Sequence, residues 1–228
     1  MSYHLYIGDE SFSSWSLRGW LMFEKFAIPY TLHRIGLYSG TFSEDMAALA
    51  PARFVPVMRT PDGQVIGETL AIAETLAEAH PEQAMWPRDP AARARARWLA
   101  AEMCCGFMGL REQCNMQLRV QYPNFDASDA TLSDLKRLEQ IWAAARADFP
   151  SDGPWLFGDY SLADAFFAPI AARIAGYDLP VSDATRTYVD LHLADPAFLA
   201  WRAEGMKVTY DPSPYPRAIP SVAWPTGG

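Results

Sequence analysis

Glu68 and Thr69 stand where a run of strand-forming residues gives way to a helical pattern. The first turn of a helix carries unpaired backbone N–H groups and a partial positive charge, so it holds carboxylates. The Thr69 hydroxyl adds a donor, and the Glu68 carboxylate can take an ammonium group. Together they suit a small ligand with an α-carboxylate and an α-amine. An ordinary capped helix behind a hairpin gives the same short pattern, and that reading stays open. Just upstream, Val55-Pro56-Val57-Met58 predicts a short strand led by proline, which cannot donate to a ladder and so belongs at its start or at an edge. A cis Val55-Pro56 bond would turn the Val55 backbone outward, ready to pair with an extended peptide.

The elements that must position these groups read as follows. His4–Gly8 is a strand, Gly8–Ser14 a polar loop and Trp15–Phe26 an amphipathic helix. Tyr30–Ile35 alternates as a second strand. Ser43–Leu49 is a brief helix or turn stopped by Pro51. Val55–Met58 and Gln64–Ile66 pair through a two-residue Asp62-Gly63 turn. Leu70, Ala73, Leu76 and Ala77 then recur at helical spacing. The order β-α-β-α-β-β-α predicts a mixed sheet between helices over residues 1–80.

Pro81, Pro87 and Pro90 mark a linker over 81–90, and residues 91–209 read as all-helical. Ala91 to Arg119 forms one long pattern, with Ala94, Trp98, Ala101, Cys105 and Met108 as its apolar stripe. Asp129–Phe149 follows, with Leu135, Leu138, Trp142 and Ala145 facing inward. Ser161 and Asp164 form a capping box ahead of a helix apolar nearly all round, which predicts burial. Thr185–Leu193 and Asp195–Lys207 complete the bundle, the latter opening on a capping Asp195 with Pro196 at its first position. The tail from Tyr210, with Pro212, Pro214, Pro216, Pro220 and Pro225, should be extended.

Composition narrows the function. The chain has 228 residues, half of them hydrophobic and 20% charged, with a net charge of −8. That balance fits a globular protein and argues against a nucleic-acid partner, which calls for a basic face. The local cluster Arg88–Arg97 reads as a solvated helix face. No run of about 18 apolar residues predicts a membrane span, and the first residues lack a basic-then-apolar leader. Cys104, Cys105 and Cys114 form no C-x-x-C pair, so a reducing cytoplasm is expected, without disulfides, zinc or dithiol redox work.

Three motifs resemble one family. P-A-R-F-V-P-V followed by G-E-T-L-A-I-A-E-T-L is similar to the N-terminal domain of the glutathione S-transferases. Ser13-Ser14-Trp15-Ser16-Leu17-Arg18 resembles the S-S-C-x-x-R loop of their zeta class. Ser161-Leu162-Ala163-Asp164 resembles the S/T-x-x-D box of their C-terminal domain. The likeness covers nearly the whole chain. It implies a thioredoxin-like N-terminal domain, an all-α C-terminal bundle with a kinked but continuous helix through Pro169, and a homodimer formed through the sheet domain and the 91–119 helix. It also implies that glutathione is the co-substrate, with no metal and no nucleotide. Trp15, Arg53, Val55, Pro56, Glu68 and Thr69 would then hold glutathione.

A free thiol ionises with a pKa near ~8.5, so a transferase must favour the thiolate. One charge-assisted hydrogen bond, at about 1.5–3 kcal/mol, lowers that value by roughly 1–2 units. Ser13 and Ser14 lie between the first strand and first helix, where the helix terminus acts in the same sense. The resemblance assigns the role first to Ser13, with Ser14 in support and Tyr6 as a weaker candidate. Helix capping is the other reading of these serines.

Two departures stand out. Trp15 replaces the zeta-class cysteine. Phe54 stands where many members carry Lys, Gln or His for the glycine carboxylate of glutathione, and Arg53 is the candidate substitute. The second substrate would meet Phe12, Met108, Arg111 and Arg173, while Phe107 and Leu110 read as core. Two arginines in the cleft suit a carboxylated substrate; ion bridges within the bundle are the alternative. The expected function is conjugation of glutathione to a small electrophile. The alternatives are glutathione-dependent cis–trans isomerisation of a small dicarboxylate, or a binding module without catalysis.

Overall fold

The structure is a computed structural model describing residues 2–212, 215 and 217–224. Pro214, Pro216 and Pro225 of the predicted tail lie outside the described residues.

The first half runs β1 (Tyr3–Ile7), α1 (Ser14–Glu24), β2 (Tyr30–Arg34), α2 (Phe42–Ala47), β3 (Val57–Arg59), β4 (Val65–Gly67) and α3 (Thr69–Ala79). The sheet order is β2-β1-β3-β4. β1 pairs β2 in parallel, and β1–β3 and β3–β4 are antiparallel. This is the mixed sheet the pattern predicts and the thioredoxin-like arrangement the resemblance implies. Strand alternation sends neighbouring side chains to opposite faces. Leu5, Ile7 and Met58 therefore join Leu17, Leu21, Ile72 and Leu76 in the main core. Val57 packs with Ile35, Met46 and Leu49 under α2.

The hairpin departs from expectation. Thr60 N–H donates to Gln64 O and Gly63 N–H to Thr60 O, so the loop holds Pro61, Asp62 and Gly63, three residues rather than two. Gly63 has φ +94°. A turn closed by a left-handed glycine bulge is the standard three-residue solution.

The second half runs α4 (Pro90–Cys105), α5 (Met108–Gln113), β5 (Val120–Gln121), α6 (Asp129–Asp148), α7 (Leu162–Gly176), α8 (Asp183–Ala194), α9 (Pro196–Gly205) and β6 (Val222–Ala223). The single long helix expected over 91–119 is two helices. Gly106 ends α4, and Phe107, at φ +58°, places its ring in the core. The Asp134 carboxylate then accepts from Leu110 N–H in the first turn of α5. The stripe through Trp98 and Cys105 also lies outward: Trp98 is 50% exposed, and Ala92, Ala96, Leu99, Ala100 and Met103 form the buried face. An alanine-rich helix offers two apolar faces at helical spacing, so periodicity alone does not choose between them.

α7 is continuous through Pro169, as expected. Its cap is more extensive than a box. The Asp164 carboxylate accepts from Ser161 N–H (2.9 Å) and Ser161 Oγ (3.0 Å). It also accepts from Leu156 N–H (3.2 Å) and the Tyr188 hydroxyl (2.8 Å). The end of the chain returns to the body: β6 pairs with β5, and the Trp224 ring is buried. Arg119 donates to Val208 O (2.8 Å) and Tyr210 O (3.0 Å) and pairs with Asp211.

His192, buried between the Trp155 and Tyr188 rings, gives the fold a pH dependence. Burial, helped by Lys25, depresses its pKa to about 3. Between that value and its ordinary 6.5 the unfolded chain binds a proton that the native protein refuses. Stability therefore falls as pH drops below 6.5, by up to about 1.4 kcal/mol per pH unit. Urea midpoints measured from pH 7 to pH 4 should decline, and His192→Leu should flatten the slope. An unchanged slope in that variant would refute the assignment.

Candidate functional site

The loop after β1, the segment before β3 and the start of α3 converge on one cleft of about 560 Å³, closed on the far side by α5 and α7. Phe12, Ser13, Ser14 and Trp15 line it, with Val55, Pro56, Glu68 and Thr69 from the sheet half and Met108, Arg111 and Arg173 from the helices. Arg53 is exposed and does not line it, so the residue expected to substitute at the glycyl end is absent from the wall. Tyr6 stacks on His33, with centroids 4.5 Å apart, and is likewise not part of the wall. Leu37, Phe42, Glu112, Asn115, Met116 and Tyr215 line the cleft although the sequence did not single them out. Tyr215 comes from the tail, where no periodicity or motif marks it.

The two serines have different surroundings. Ser13 is the N-cap of α1: its hydroxyl accepts from Ser16 N–H (3.3 Å) and donates to Ser16 Oγ (2.8 Å). Ser16 Oγ in turn accepts from Gly8 N–H at 2.9 Å. The Ser13 proton is thus committed to Ser16 in the first turn of α1. Ser14, in the first turn of α1, accepts from Arg173 Nη2 at 3.3 Å, which leaves its own proton free to donate.

Around Ser14 sit three arginines. Arg18 Nε donates to Phe166 O (2.9 Å) and Nη1 to Ser14 O (3.4 Å), and its guanidinium lies 4.4 Å from the Trp15 ring. Arg111 lies 5.0 Å from the same ring and donates to Cys104 O (3.2 Å). Arg173 Nε donates to Cys114 O at 2.8 Å. Among the described residues none of the three forms an ion pair with a carboxylate. Burial, then Arg173, holds the Arg18 pKa well below its usual value. Burial, then Arg111, pulls Arg173 down to about 10. Uncompensated positive charge beside a helix N-terminus favours an anion.

The start of α3 is prepared in a second way. Glu68, a non-glycine residue, sits at φ +63° and ψ +126°. Such a backbone costs on the order of 1–3 kcal/mol and gathers at ligand sites. Glu68 O accepts from Ile72 N–H, so the first N–H groups of α3 have no partner within the helix. The Val55-Pro56 bond is cis, and among the described residues no backbone hydrogen bond reaches Val55.

Sheet order, helical bundle and cleft together define a two-part protein with a thioredoxin-like half, a helical half and an anion-favouring groove between them. Residues 12–79 match the family model described as "Glutathione S-transferase, N-terminal domain". Maleylacetoacetate isomerase of Pseudomonas aeruginosa is 30% identical over 158 residues, 66% of this chain and 72% of that protein. The Rattus norvegicus maleylacetoacetate isomerase is 30% identical over 183 residues, 78% of this chain and 81% of that one. A Burkholderia glutathione transferase homolog, solved with bound glutathione, is 23% identical, with a TM-score of 0.68 over 91% of this chain and 100% of that chain. The chain belongs to the glutathione S-transferase family.

Proposed function

We propose that the protein binds glutathione and conjugates it, through its thiolate sulfur, to a small electrophile. The observation that carries this reading is the placement, in one cleft, of a serine hydroxyl with a free proton, of Arg111 and Arg173, which form no ion pair among the described residues, and of the open start of α3. The α-carboxylate of the γ-glutamyl residue rests on the α3 amides and Thr69, its amine meets Glu68, and the cysteinyl backbone pairs with Val55. The sulfur then faces Ser14. The donor role, which the family resemblance gave first to Ser13 with Ser14 in support, passes in this reading to Ser14, and Ser13 keeps the cap. The arginines and the α1 terminus stabilise the thiolate through their field, and the helical wall orients the electrophile.

A second reading, isomerisation of a small dicarboxylate through a glutathione adduct, is favoured by Arg111 and Arg173, which have no carboxylate partner among the described residues. Arg111→Met separates the two. If the substrate carries carboxylates, KM for a maleyl-type acid should rise roughly 10- to 100-fold, the value of one charge-assisted bond. KM for a neutral aromatic electrophile should stay within about threefold. Equal effects on both would remove the carboxylate role. Glutathione failing to bind in calorimetry at millimolar concentration would refute the enzyme reading altogether.

We further propose a homodimer that uses the outward face of α4, where Trp98 and Cys105 are exposed. A cytoplasmic location agrees with three free cysteines. Among the described residues, no helix is long and apolar enough to cross a membrane.

A further inference from the structure

We propose that the cleft selects a thiol peptide whose glycyl end is masked, as an amide or an ester, over one ending in a free carboxylate. The proposal rests on the glutathione reading above and concerns only the far end of that ligand.

The order of the sheet sets the order of the ligand. The α3 start follows β4 at one edge, Val55 leads into the central strand β3 and the serines follow the central strand β1, and Leu37 and Phe42 follow β2 at the other edge. A γ-glutamyl group anchored at Thr69, with its sulfur at Ser14, must send its third residue towards Leu37, Phe42 and Phe54. All three are apolar. Phe54 is 70% exposed, a large apolar surface with nothing covering it among the described residues.

Among the described residues no cation serves that end. The arginines in the wall, Arg111 and Arg173, come from the helices and face Trp15 and Ser14. Arg34 pairs with Glu10 at 2.6 Å, Arg59 donates to Ala48 O, and Arg53 stays outside the wall. The nearest helix, α2, opens with Glu44 and Asp45, which add negative charge. A free glycyl carboxylate gains no ionic partner here. An uncharged alkyl or amide extension gains apolar contact with Phe42 and Phe54, and each buried methylene is worth about a fourfold change in affinity.

Calorimetry on the full chain, with glutathione and its glycyl ethyl ester as the two probes, tests this. The ester should bind about 3- to 10-fold tighter. Phe54→Lys should reverse the order by strengthening glutathione about tenfold and weakening the ester roughly threefold, as its contact with the Phe54 ring is lost. Glutathione binding as tightly as the ester or tighter in the unaltered protein would overturn the proposal and leave the glutathione reading standing. Binding of neither probe would remove both.

Discussion

Ser14→Ala is expected to raise the pKa of enzyme-bound glutathione by about 1–2 units and to lower turnover at pH 6.5 roughly 10- to 100-fold. The argument is one of proton placement. A thiolate accepts hydrogen bonds and donates none, so only a hydroxyl with an uncommitted proton can serve it. The Ser13 proton goes to Ser16 Oγ, while Ser14 receives a proton from Arg173 and retains its own. Binding should weaken little, because in the proposed pose the α3 amides, Glu68 and Val55 hold the rest of the peptide. Ser13→Ala should behave differently. It removes an N-cap and costs about 1 kcal/mol of stability, with a smaller change in thiol pKa. Titrating the ultraviolet absorbance of the bound thiolate reads both variants directly. A raised pKa in Ser13→Ala with none in Ser14→Ala would reverse the assignment.

Asp164→Ala should give the largest loss of stability in the molecule, roughly 3–5 kcal/mol. The side chain is fully buried and accepts four hydrogen bonds, two from backbone N–H groups. Its removal strands the N–H groups of Ser161 and Leu156 where water does not reach, at about 1–3 kcal/mol each. It also leaves the Tyr188 hydroxyl unpaired. α7 is the central helix of the bundle and carries Arg173 into the cleft. Urea unfolding followed by circular dichroism should show the drop, and a loss below about 1 kcal/mol would show that the cap is dispensable.

The fold was legible where residue type and period agree. Alternation at Tyr30–Arg34, the proline-led strand at Val57 and the box at Ser161 each fix a local geometry that tertiary packing then uses. Pro169 broke the rule that proline ends a helix, and there the family resemblance, not periodicity, supplied the answer. The long helix failed for a physical reason. A Cβ at Gly109 would lie 2.7 Å from the Ala130 carbonyl carbon, a crossing that exists only in three dimensions and leaves no mark on the period of the apolar stripe. The site was legible as a set of residues but not as a division of labour. Ser13 and Ser14 are identical in sequence terms, and only the reach of Arg173 from α7 separates them. Arg53 looked equivalent to a binding cation because sequence gives no side-chain direction. Tyr215 was invisible, since nothing in a proline-rich tail says where it will dock.

That tail has a consequence for how the protein is made. The Tyr215 hydroxyl donates to Phe12 O, Arg217 donates to Gln113 O, and Tyr210 bonds Asp9. Segments one hundred to two hundred positions apart are thus stitched together by residues that follow the whole helical half. A nascent chain can settle its sheet early, but the groove gains its α5 and α7 wall only once the helical half has been made, and the Tyr215 part of its lining later still. Until then the newborn polypeptide carries a half-built groove open to whatever is nearby.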